Sequence, residues 1–116
     1  LEYIEMKGSD VFKTAVNTLG KLAVHTLKIN NISNEELNWL VPHQANDRII
    51  QAIAKKINLP QEKIIITVAK HGNTSAASIP LAFDEANSKS LFKQGDNIML
   101  EAFGAGFTWG SILLKY

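Results

Sequence analysis

Apolar and polar positions along this chain change their period several times, and each change marks an element. Val11, Phe12, Ala15, Val16, Leu19, Leu22, Ala23 and Leu27 recur at three- and four-residue spacing, which predicts one long amphipathic helix. Ser9 and Asp10 offer N-cap chemistry at its start, and Asn30-Asn31 stops it. Gly20 inside it costs about 1 kcal/mol relative to Ala, which points to a close approach by a neighbour. Ser33 with Glu36 resembles a capping box, so a single helical turn precedes the next strand. Trp39-Leu40-Val41 is short and wholly apolar, and Pro42 prevents it from continuing as a hydrogen-bonded central strand. From Ala45 to Ile57, the residues Ile49, Ile50, Ile53, Ala54 and Ile57 fill one arc of a helix, while Arg48 and Lys55 point the other way with Lys56 beside them.

Ile64-Ile65-Ile66-Thr67-Val68 is β-branched throughout, the pattern of a strand covered on both faces. Small residues from Ser75 to Ser78 then open a helix through Ile79, Leu81, Ala82, Phe83 and Ala86, with Pro80 in its first turn. Gln94-Gly95-Asp96 is a turn, Asn97 to Phe103 a strand, and Gly104-Ala105-Gly106 joins it to a last strand from Phe107 to Leu114. So short a connection makes those two strands antiparallel neighbours. Alternating helices and strands ahead of that pair predict a mostly parallel sheet with helices on its faces and an antiparallel edge. The chain opens without Met in a strand-like stretch, Tyr3-Ile4-Glu5-Met6, and is expected to be a fragment or a processed product.

Two polar blocks stand out from this frame: Val41-Pro42-His43-Gln44-Ala45-Asn46, and His71-Gly72-Asn73-Thr74-Ser75-Ala76-Ala77-Ser78. Each lies where an apolar run ends and a helical pattern begins, so in a layered α/β domain both meet at one edge of the sheet. A lone histidine there would be a packed, locally bonded side chain. His43 is accompanied by Asn73 in the equivalent position of the next unit, flanked by Gly72 and small residues. A neutral imidazole and a carboxamide both carry N–H donors, and two such donors converging on one point suit an oxygen that becomes negative during reaction. His71 reads as structural.

Composition narrows the classes. The chain has 116 residues, 46% of them hydrophobic, and a net charge of +1, which gives one globular unit and no electrostatic case for binding nucleic acid. It has no cysteine, which excludes disulfides, thiolate metal sites and a cysteine nucleophile of its own. Its apolar runs are far shorter than the roughly 18 residues of a membrane span, and the expected location is cytoplasmic. A zinc site on His25, His43 and His71 is disfavoured, because His25 lies inside a long helix and no carboxylate or cysteine completes the set. Gly104-Ala105-Gly106 is not a phosphate loop, since neither a Lys-Ser/Thr pair nor a helix follows it.

At three blocks the chain resembles the C-terminal part of β-ketoacyl-acyl-carrier-protein synthase III, a condensing enzyme of the thiolase superfamily. These are Val41 to Ile50, His71 to Ser78, and Glu101-Ala102-Phe103-Gly104-Ala105-Gly106-Phe107-Thr108-Trp109-Gly110, in matching order and spacing, and the likeness runs from about Met6 to Tyr116. The resemblance implies an α/β fold, the C-terminal half of a thiolase-like fold, with residues 1–116 forming a single incomplete half. It implies a catalytic Cys-His-Asn triad whose histidine and asparagine fall on His43 and Asn73 and whose cysteine lies upstream. The intact enzyme would load an acyl group from acyl-CoA, with acetyl-CoA the expected primer, onto that cysteine and condense it with malonyl-carrier protein, starting fatty-acid synthesis without a cofactor. Gly8 and Asn46 match positions lining the pantetheine tunnel, and Arg48, Lys55 and Lys56 match the basic face where the acidic carrier protein docks. For the two lysines an ordinary solvated surface is an equal alternative. Ala105 replaces a glycine common in the family.

The partners implied are the N-terminal half of the same enzyme, acyl carrier protein, acyl-CoA and a second subunit of a homodimer. A related acyltransferase of secondary metabolism and a non-catalytic CoA- or carrier-binding module are the alternatives. The resemblance also implies a five-stranded sheet in the order 3-2-1-4-5 with its first strand upstream. Trp39-Leu40-Val41 and Asn97 to Phe103 would then flank a gap, leaving backbone groups unpaired and the chain neither stable nor active alone.

Overall fold

The computed structural model describes residues 8–116. The strand expected at Tyr3–Met6 lies outside the described residues. Helix α1 spans Gly8–Ile29 and is the longest element. Ser9 and Asp10 fall inside its first turn instead of capping it, and there the Asp10 carboxylate still complements the positive end of the helix dipole. Its buried stripe, Ala15, Leu19, Gly20, Ala23, Thr26 and Leu27, follows the expected periodicity. The capping box forms as well: Ser33 and Glu36 bond each other's backbone N–H groups around a 3₁₀ turn at Asn34–Glu36.

Strand β1 (Trp39–Pro42) leads into helix α2 (Asp47–Lys56), the four-residue helix α3 (Val68–His71) and helix α4 (Ser78–Ser88). Strands β2 (Asn97–Gly104) and β3 (Thr108–Lys115) complete the chain as a hairpin. The sheet order is β1-β2-β3, with β1 parallel to β2 and β2 antiparallel to β3. On the other side of β1, Ile64 makes a single parallel bridge to Leu40.

Two expectations need correction. The run Ile64–Val68 is not a full strand. Ile64 bridges Leu40 and the Ile65 N–H donates to the Leu40 carbonyl, but by Val68 the chain has entered α3. Nor does a gap separate Trp39-Leu40-Val41 from the strand beginning at Asn97. Trp39 pairs directly with Ile98, Leu40 with Met99, Val41 with Leu100 and Pro42 with Glu101. No strand is inserted at that point, so the reading of these two segments as the neighbours of a missing first strand is wrong. The row of orphaned backbone groups that was to make it unstable does not exist.

Residue alternation on these paired strands divides the core into two layers. Leu40 and Met99 pack with the apolar stripes of α1 and α2, whereas Val41 and Ile98 pack with Ala82 and Ala86 of α4 and with Phe92. Gly20 lies where α1 meets α2: a Cβ added there would come 2.7 Å from Lys56 Cδ, the close approach that the glycine anticipated. Among the described residues β3 pairs on one side only, and Trp109 and Ile112 on it are more than half exposed, at 52% and 61%.

Candidate active site

The parallel pairing of β1 with β2 fixes the position of His43. Val41 and Pro42 are buried, and the His43 N–H donates to the Glu101 carbonyl at 2.7 Å, so the main chain of β2 grips the residue just past the strand end. The His43 ring is half-buried, and its Nδ1 lies 2.7 Å from the hydroxyl of Ser78, the first residue of α4. Burial lowers the pKa of His43 below the usual histidine value, so the ring is neutral at neutral pH and carries one N–H donor.

Asn73 sits on the connection between α3 and α4. Gly72 ends α3 at φ 68° and ψ −165°, a conformation open essentially only to glycine, and this turns the chain toward Asn73. Asn73 Oδ1 then accepts the Ser75 N–H at 3.1 Å, which holds the carboxamide from its oxygen end. Its amide protons make no hydrogen bond among the described residues, and the residue is exposed.

Gln44 joins the two blocks. Its side chain, 1% exposed, donates from Nε2 to the carbonyls of Pro42 (2.8 Å) and Ile65 (3.1 Å). Its Oε1 accepts the N–H groups of Thr67 (2.8 Å) and Val68 (3.1 Å). One carboxamide thus uses its full hydrogen-bonding capacity to tie the end of β1 to the backbone that leads into α3 and Asn73. Sequence reasoning included Gln44 in the first block without giving it a role.

A second residue without a sequence-based role is Glu101. It is fully buried, and both carboxylate oxygens lack a hydrogen-bond partner among the described residues. Burial pushes its pKa up to about 8, so it is a neutral acid at neutral pH. Strand alternation places it on the Met99 side of the sheet, opposite the face where His43 meets α4. The signal was present as a charged residue interrupting the apolar run from Ile98 to Phe103.

The remaining expected residues are spread around these blocks. Gly8 is exposed at the first position of α1. Asn46 caps α2, its side chain accepting the Ile49 N–H at 2.9 Å. Arg48 and Lys55 are exposed, and the Arg48 guanidinium lies over the Phe12 ring at 5.5 Å from its centroid. Lys56 reaches back across α1 to donate to Asn17 Oδ1 at 2.6 Å. His25 is exposed on α1 and His71 at the end of α3, so neither joins His43 at the β1 tip.

A family model described as 3-oxoacyl-[acyl-carrier-protein (ACP)] synthase III C terminal matches residues 27–116, which include both polar blocks. The chain belongs to this synthase III C-terminal family. It is 58% identical, over 98% of its length, to the β-ketoacyl-[acyl-carrier-protein] synthase III of Thioalkalivibrio sulfidiphilus, and 57% identical over 97% to that of Methylococcus capsulatus. Among solved structures, it superposes on the 3-oxoacyl-[acyl-carrier-protein] synthase III of Aquifex aeolicus with a TM-score of 0.96 at 46% identity, covering 98% of this chain and 37% of that one. The C-terminal half of a thiolase-like fold is thus established. The chain spans about a third of the length of these two relatives, 35% of each.

Proposed function

We propose that this chain supplies the C-terminal part of the active site of a β-ketoacyl-acyl-carrier-protein synthase III. The reading is supported by a neutral, anchored His43 and by an Asn73 whose amide protons make no hydrogen bond among the described residues, both within the segment that matches the family. In this reading an upstream cysteine attacks the acyl-CoA thioester and CoA leaves, giving an acyl-cysteine. The malonyl thioester on the carrier protein then loses CO2, and its electron pair passes into the thioester as an enolate. His43 and Asn73 donate N–H bonds to that oxygen as the charge grows. The enolate carbon attacks the acyl-cysteine, the thiolate departs, and the β-ketoacyl group remains on the carrier.

The other expected residues take supporting roles. Gly8 and Asn46 line the approach for the pantetheine arm, and Arg48, with Lys55 and Lys56, presents cations to the acidic carrier protein. Because Lys56 is already committed to Asn17, Arg48 and Lys55 are the freer contacts. The chain holds no cysteine, so it acts only together with the N-terminal half of the enzyme. The same reading implies a cytoplasmic homodimer that takes acetyl-CoA as its primer and needs no cofactor.

The test is condensation of acetyl-CoA with malonyl-carrier protein by the full-length synthase carrying this chain. His43→Ala and Asn73→Ala should each lower the rate by about 10²–10³-fold, the usual cost of removing one donor to a developing oxyanion. Wild-type rates in either variant would refute the assignment.

A further inference from the structure

The first polar block presents its histidine with one ring nitrogen already occupied. His43 Nδ1 lies 2.7 Å from Ser78 Oγ, and the Gln44 N–H donates to that same oxygen at 3.2 Å. Ser78 is 1% exposed, and its hydroxyl makes no other hydrogen bond among the described residues. The direction of the bond to His43 follows from counting protons. If Nδ1 carried the ring proton and donated it, Ser78 Oγ would receive two N–H bonds and its own proton would be buried without an acceptor. If the hydroxyl donates to Nδ1, every polar atom of the trio is satisfied: Gln44 N–H to Oγ, O–H to Nδ1, and the ring proton on Nε2.

We propose that Ser78 is a positioning residue that fixes His43 in the Nε2-protonated tautomer by donating its hydroxyl proton to Nδ1. Two further features act in the same direction. Ser78 is the first residue of α4, so the positive end of an 11-residue helix lies beside Nδ1 and opposes a second proton on the ring. The Gln44 side chain holds its own backbone in place through four hydrogen bonds, which keeps the N–H aimed at Oγ. The result is a ring whose only donor is Nε2, the nitrogen left free to meet a substrate oxygen.

This inference deepens the proposed function and rests on it for the catalytic consequence, but the tautomer can be read separately. The experiment is ¹⁵N NMR of the ring nitrogens of His43 in the full-length synthase with labelled histidine, combined with steady-state condensation kinetics. Wild type should show a protonated Nε2 and an acceptor Nδ1. Ser78→Ala should raise the Nδ1-protonated population and lower kcat roughly 10-fold or more, bounded by the about 10²–10³-fold cost of deleting a donor. KM for malonyl-carrier protein should hold, and Ser78→Thr, which keeps the hydroxyl, should restore both readouts.

A purely structural serine would lower stability without moving the tautomer of the folded protein. Protonation of Nδ1 in wild type overturns the proposal without recourse to any variant. So does an unchanged tautomer in Ser78→Ala, or a changed tautomer with an unchanged rate. Full activity in His43→Ala would instead refute the functional reading, while the spectrum would still decide the role of Ser78.

Discussion

Glu101 gives the physical account a quantitative test that does not depend on catalysis. Its carboxyl is fully buried without a hydrogen-bond partner among the described residues, and burial raises its pKa from an ordinary 4.5 to about 8. Between those values the folded protein keeps the proton and the unfolded chain releases it. Unfolding therefore releases a proton, and stability must fall as pH rises through this window, by about 1.4 kcal/mol per pH unit for this one group. The stability is fully present below the unfolded value near 4.5, and the loss levels off above about 8. At pH 7 the accumulated cost is about 3 kcal/mol, a large part of the stability of a small domain. Glu101→Gln keeps the shape and cannot titrate. Urea unfolding of the chain and of this variant, followed by tryptophan fluorescence at fixed ionic strength from pH 5 to pH 8, should show the variant gaining on the parent by about 1.4 kcal/mol per unit. The slope is the test, because the amide shifts the baseline by an amount that does not depend on pH. Two curves that stay parallel across the window would show that the carboxyl is not held neutral and would refute the reasoning.

Two substitutions probe the scaffold of the site. Gln44→Ala leaves the N–H groups of Thr67 and Val68 and the carbonyls of Pro42 and Ile65 without their partner, at about 1–3 kcal/mol for each group that water cannot reach; a loss of at least about 3 kcal/mol in urea unfolding is expected, and a loss under about 1 kcal/mol would remove the residue from its tying role. Gly72→Ala forces a side chain into a backbone region reserved for glycine, so about 1–3 kcal/mol should be lost with condensation reduced as Asn73 shifts, and a neutral result in a denaturation series would contradict that geometry.

What could be read from the sequence depended on whether a feature was local. The stripe of α1, the capping box at Ser33 and Glu36, the polar and apolar faces of α2, and the tight hairpin between β2 and β3 each follow from residues close in sequence, and all appear in the structure. Gly20 was legible as a close approach, though Lys56 as the neighbour was not. The run Ile64–Val68 was misread for a specific reason. The Ile65 carbonyl and the Thr67 and Val68 N–H groups, which a strand partner would have paired, are satisfied by the Gln44 side chain. Composition alone does not reveal a side chain replacing a sheet ladder.

The strand that the resemblance inserted between β1 and β2 was misplaced, and the residues offered no check on it, because both strands pack apolar side chains on both faces and their patterns do not say which neighbour each takes. At the site, the two polar blocks were legible as the ends of apolar runs, and the structure places His43 just past β1 and Asn73 between α3 and α4. Ser78 read only as a small residue opening a helix, because its contact with His43 closes over 35 residues of sequence.

The central claim is that His43 and Asn73 act on one oxygen. The most direct measurement is a double-mutant cycle on malonyl decarboxylation in the full-length synthase, comparing wild type, His43→Ala, Asn73→Ala and the pair. Each single loss should cost about 10²–10³-fold. The double variant should fall well short of the product of the two, because the donors share one developing charge. Singles that decarboxylate at the wild-type rate, or a double variant whose loss equals the product of independent losses, would contradict it.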